Sequence, residues 1–140
     1  MKLILTLLAV SMLCLISMLH VYWACGGRWS STVVIPVKGG GDGLAFVPRK
    51  TGTLLVAVLI CMAALLLLVQ GDFLQSFQAN IISRMGCIVC TVVFFIRAIG
   101  DFKYVGFFKK IKHSQFARND TWFYSPLCLF FAAVFMFVLL

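Results

Sequence analysis

Arg97 and Asp101 stand four residues apart where a long apolar run ends. On a continuing helix that spacing puts both on one face, close enough to pair. A charge leaving a hydrocarbon-length helix is costly unless it is paired or wetted. A guanidinium there, with lysines nearby, suits an anionic head group or a phosphate. His20 adds a group that takes up or releases a proton near neutral pH. Asp101 and Asp120 would orient either one. Trp23 and Tyr124 are aromatic residues of the kind that sit at a membrane surface. The candidate ligand-binding set is therefore His20, Trp23, Arg97, Asp101, Asp120 and Tyr124. Two plainer readings of the same residues stay open. One is an ion pair and hydrogen-bond set that only locks helices together; the other is an arginine that snorkels to water beside a wet aspartate.

The cysteines offer a second chemistry. Cys87-Ile-Val-Cys90 has the C-x-x-C spacing of thiol–disulfide oxidoreductases. It lies toward the outer end of the third apolar run, where disulfides are permitted. A membrane thiol–disulfide oxidoreductase using Cys87 and Cys90 is thus the alternative function. Against it, six cysteines in 140 residues readily give one such spacing by chance. Buried cysteine is also an ordinary apolar residue, and no second outer pair is there to pass electrons on. The sequence has no nucleophile elbow, no H-E-x-x-H and no paired glutamates, so no catalytic residue is assigned. His20 and His113 have no cysteine or histidine at zinc-site spacing, so neither a metal nor another cofactor is expected.

Composition sets what must position these residues. The chain is 63% hydrophobic and 11% charged, with a mean hydropathy of +1.08. A soluble domain of this length cannot hide that much apolar surface. Four runs are long enough to cross a bilayer: Leu3 to Trp23, Thr53 to Gly71, Ile81 to Ile99 and Trp122 to Leu140. One membrane domain over the whole chain is expected, and an all-α fold. Twelve Lys and Arg against four acidic residues give a net charge of +8. These charges flank the apolar runs, so they point to orientation and lipid head groups, not to nucleic acid.

Met1-Lys2 before an apolar run resembles a signal peptide. The run is longer than a usual signal core, however, and Trp23 spoils a cleavage site at Ala24 to Gly27, so an uncleaved helix is expected. Pro36, Pro48 and the glycines from Gly39 to Gly43 make Gly26 to Gly52 a loop. Within it, Val33 to Val37 is too short to span, and lies at the interface or re-enters the bundle. Arg49 stands where a phosphate loop needs glycine, which excludes that motif. The second long connection, Phe102 to Asn119, is basic and aromatic. Its Phe107-Phe108-Lys109-Lys110-Ile111 reads as a short interfacial helix. Pro126 falls early in the fourth run, where its missing N–H is not needed.

Four spans put both termini on one side and both long loops on the other. The loop side carries Arg28, Lys38, Arg49, Lys50, Lys103, Lys109, Lys110, Lys112 and Arg118; the other carries Lys2 and Arg84. That bias places the loops in the cytoplasm and the termini outside. The glycosylation sequon Asn119-Asp120-Thr121 then falls on the wrong side. In this topology His20, Tyr22 and Trp23, Pro48 to Thr51, Arg97 and Asp101, and Asp120, Tyr124 and Ser125 all come near the cytoplasmic interface. A four-helix bundle would collect them around one polar pocket.

Three stretches carry a family resemblance: His20-Val-Tyr-Trp23 with Gly26-Gly27, Arg97 through Phe108, and Phe116-Ala-Arg-Asn-Asp120-Thr with Tyr124-Ser-Pro-Leu127. Together they resemble a family of small bacterial membrane proteins catalogued as a domain of unknown function (family 3995). The resemblance implies a four-span protein of the bacterial cytoplasmic membrane, with its recurring motifs at the constellation above. It implies no activity, substrate or site. The expected function is a binding or accessory protein for an anionic lipid or small anion, or else a purely structural subunit. The expected partners are membrane lipids and a homo-oligomer or larger membrane complex, with no nucleic acid.

Overall fold

The computed structural model describes residues 2–27, 35, 48–74, 77–112 and 114–140. The expected loop segment Val33 to Val37 lies outside the described residues apart from Ile35, and His113 lies outside them too.

Four long helices carry the fold. Helix α1 (Lys2–Ala24) follows an apolar run unbroken by glycine or proline. It stops at Gly26, whose φ of 95° suits glycine, as its N–H donates to Trp23 O at 3.0 Å. Helix α2 (Lys50–Gln70) starts three residues ahead of the expected Thr53, with Arg49 extended at the cap position. It ends where the Gly71 N–H donates to Leu67 O. Helix α3 (Ile81–Ile99) has the expected limits. Asn80 fixes its start through a capping box, accepting from the Ile82 and Ser83 N–H groups while Ser83 Oγ accepts from the Asn80 N–H.

Helix α4 (Gln115–Leu139) departs from the sequence reading. It begins seven residues before Trp122, because Ser114 Oγ caps it by accepting from the Ala117 N–H at 3.0 Å. Pro126 is therefore well inside the helix, not at its start. An interior proline removes one ladder bond and crowds the carbonyl four residues back. The backbone widens into a π turn over Asp120–Tyr124 just ahead of it, with the Ser125 N–H reaching back to Asp120 O.

The helices form two closely packed hairpins, α1 with α2 and α3 with α4, joined mainly through α2 and α3. In the first hairpin the alanines Ala9, Ala57, Ala63 and Ala64 are buried, and Ser17 Oγ donates to Ala57 O at 2.8 Å. Small residues let two helices approach closely where lipid gives no hydrophobic drive between them. In the second, Phe94 lies against Phe131 and Phe135. Between the hairpins Ser83 Oγ donates to Gln70 Oε1, and Leu66 packs over Gly86. Lys2 lies over the Phe137 ring, so the start of α1 and the end of α4 share one end of the bundle.

The apolar core occupies that terminal half. It contains Ala9, Leu13, Leu67, Cys87, Phe131, Val134, Phe135 and Val138. Outside it, large apolar residues such as Leu15, Leu59, Val93 and Met136 are exposed along the helices, as lipid-facing residues are. All four helices are long and apolar enough to cross a membrane. The chain is an all-α, multi-pass membrane protein built as a four-helix bundle.

Candidate functional site

The other half of the bundle, at the long-loop end, holds the buried charged groups. Its centre is Asp120, fully buried on the π turn of α4. Asp120 Oδ1 accepts from Arg97 Nη2 at 3.1 Å. Its Oδ2 accepts from the Gly106 N–H at 2.6 Å and from Lys109 Nζ at 3.0 Å. Lys109 is almost fully buried as well, and all three ammonium donors are used: on Asp120, on Gly106 O at 2.9 Å and on Thr121 Oγ1 at 2.6 Å. Two cations thus share one carboxylate, and the cluster keeps a net charge of +1. Arg97 differs from Lys109. Its side chain is about a third open, yet its Nη1 is buried without an acceptor among the described residues. Ser125 Oγ, five residues past Asp120, is also buried and without a partner among the described residues.

The chain between α3 and α4 is folded tightly to make this cluster. Gly100 ends α3 at φ +92°, and Gly106 sits at φ +91°. Their backbones touch, so a Cβ on Gly100 would collide with the Val105 carbonyl, and one on Gly106 with the Ile99 carbonyl. The Phe107 N–H donates to Ala98 O, tying the loop to the last turn of α3. Asp101 organises the loop from within. Its Oδ1 accepts from the Lys103, Tyr104 and Val105 N–H groups at 2.7–2.9 Å. Burial alone would push the Asp101 carboxyl up, but those three backbone donors outweigh it and hold it below the ordinary aspartate range.

Of the six expected ligand-binding residues, the structure brings Arg97 and Asp120 into contact. Asp101 does not pair with Arg97. The helix ends between them at Ile99, and the left-handed Gly100 turns Asp101 into the loop, where it is exposed. His20 bonds within its own helix, Nδ1–H to Ile16 O at 2.8 Å, and meets Trp23 edge-on at 5.3 Å. The Tyr124 ring rests against Phe116 and Phe123. A shallow, open depression of about 540 Å³ lies at the start of α4, lined by Lys112, Ser114, Gln115 and Arg118.

The expected interfacial helix Phe107–Ile111 is an irregular strap, because Lys109 is pulled inward to Asp120. Lys109 is the main residue missed in the sequence, since nothing there sets it apart from Lys110. The two glycines six residues apart around Asp101 were a legible sign of a tight turn. For the alternative chemistry, Cys87 is buried with its Sγ 3.8 Å from Leu66 O, and Cys90 is half-buried; both are free thiols.

No curated protein and no solved structure matches the chain. Residues 13–135 match the family model described as "Protein of unknown function (DUF3995)", a match that takes in α2, α3, most of α4, the second half of α1, the tight loop and the Arg97–Asp120 pair, and the chain belongs to that family.

Proposed function

We propose that this protein binds a phosphate-bearing anion at the long-loop end of its bundle, as a binding or accessory protein of the bacterial cytoplasmic membrane. The observation that carries the reading is the charge imbalance around Asp120: two cations on one carboxylate, with Arg97 Nη1 buried and without an acceptor among the described residues. A net positive charge at the edge of hydrocarbon calls for a counter-anion. Exposed Lys50, Lys103, Lys110, Lys112 and Arg118 on the same end would draw one in. By the excess of basic residues, that end faces the cytoplasm and the termini face outside.

Native mass spectrometry of the mildly solubilised protein, beside Arg97→Met, tests this. A retained phospholipid mass in the parent and not in the variant identifies a head group as the source. No retained lipid, but a thermal shift with inorganic phosphate in the parent alone, identifies a free anion. Neither effect in the parent would overturn the reading.

A second reading has its own support. Asp120 and Lys109 are saturated by internal partners, as groups in a purely structural clasp are. The same experiment separates the two, since a clasp retains no ligand. The thiol oxidoreductase reading gains little, because a buried Cys87 is poorly placed for exchange.

A further inference from the structure

The inward turn of Lys109 has an outward consequence. With Lys109 2% exposed, its neighbours Phe108 and Lys110 are turned out, and Phe108 is 64% exposed. Phe102, 58% exposed, lies beside it with ring centroids 6.3 Å apart. Phe102 is held at φ +61°, a left-handed conformation unusual for an aromatic residue. Phe107 is exposed as well, and so are Lys103, Lys110 and Lys112, close to the pair in the chain. The loop is tied to both helices, to α3 by the Phe107 N–H on Ala98 O and to α4 by Lys109 on Asp120. The ends of these two membrane-length helices therefore set its height.

We propose that Phe102 and Phe108 form an aromatic tip that enters the leaflet at the long-loop end, while Lys103, Lys110 and Lys112 rest on the phosphates of anionic phospholipids. An exposed aromatic pair with ammonium groups close by in the chain complements that leaflet: rings below the head groups, charges among them. The Lys109–Asp120 contact aims the tip by fixing the strap from behind. The tip needs no ligand at Arg97, so it stands or falls separately from an anion site there.

The test uses Phe108→Trp in nanodiscs of phosphatidylcholine, with and without phosphatidylglycerol, its emission taken as the difference from the parent protein. The expected signal is blue-shifted, quenched by lipids brominated near the glycerol end, and protected from iodide in water. Adding phosphatidylglycerol strengthens the lipid quenching. Asp120→Asn in the same background frees the strap, so the signal moves red and the lipid quenching falls. Red-shifted emission open to iodide, with no lipid quenching, would overturn the proposal. Protection from both quenchers would do the same, by showing that protein covers the tip. Phe102→Trp serves as the second reporter if Phe108→Trp does not fold.

Discussion

Lys109 Nζ and Asp120 Oδ2 meet at 3.0 Å with both side chains shut away from solvent. They come from different segments, a strap and a π turn, so their contact joins the loop to the bundle. Buried ion pairs gain little over well-packed apolar groups, but breaking one by removing a single partner is costly. Asp120 is the more sensitive partner, because two cations depend on it. Asp120→Ala would leave Lys109 charged in a dry place and lower stability by about 3–5 kcal/mol. Lys109→Met keeps the Arg97–Asp120 pair and the Gly106 N–H bond, so it should cost clearly less. Chemical unfolding in detergent micelles checks the order, and equal losses would show that Lys109 is as sensitive a partner as Asp120.

Asp101 sets a pH dependence of the loop. Its carboxylate is favoured in the folded loop by three backbone donors. With the folded-state acid below its ordinary value, the stabilisation is complete above the unfolded aspartate pKa. It is lost as pH falls through the depressed folded value. Amide exchange at Lys103, Tyr104 and Val105, corrected for intrinsic rates, should accelerate only in acid. In Asp101→Ala the same amides should exchange fast at neutral pH, at a cost of about 0.5–1.5 kcal/mol for each bond lost. Unchanged protection in the variant would mean the loop is held by its ends alone.

Gly106→Ala tests whether the loop must touch the helix end. The new methyl meets the Ile99 carbonyl, and φ +91° is unfavourable for alanine. Neither problem can be relieved without moving the Gly106 N–H off Asp120. The expected result is faster proteolysis within the loop while the apolar core in the other half still melts cooperatively. Equal proteolysis of parent and variant would contradict the close approach.

The thiols give a ranking. Cys25, exposed just past α1, should react with maleimide fast. Cys87, buried between α3 and the Leu66 carbonyl, should react only on unfolding, and Cys90 at an intermediate rate. Rapid formation of a Cys87–Cys90 disulfide by a mild quinone oxidant would instead revive the redox reading.

How much of this could be read from the residues follows their physics. The third helix was legible at both limits because its apolar run has the length of a bilayer crossing, and the Asn80 cap and the Gly100 turn fix those same limits locally. The early start of α4 was not, since Ser114 lies in a run of polar and basic residues that looks like connecting loop. Pro126 read as a helix start because that is where proline costs least. A π turn that accommodates it mid-helix leaves no mark in hydropathy. Arg97 and Asp120 were singled out as charges at the ends of apolar runs. Their contact and the role of Lys109 were not legible, because Lys109 stands 11 positions ahead of Asp120, on an irregular strap outside the helix, and no period governs such a path.

Arg97 separates the clasp from the anion site. It holds Asp120 through Nη2 alone and is partly open, so that pair is screened and contributes on the order of 1 kcal/mol. Arg97→Met leaves a neutral Lys109–Asp120 pair and should cost little stability. It also removes the buried Nη1, so retained phosphate or phospholipid should be lost. Arg97→Lys keeps the charge but not the two-armed geometry, and should recover stability better than binding. Unfolding midpoints and native mass spectra on the same three samples check both effects. If stability falls sharply in Arg97→Met while ligand content is unchanged, Arg97 is part of the clasp and the anion lies elsewhere.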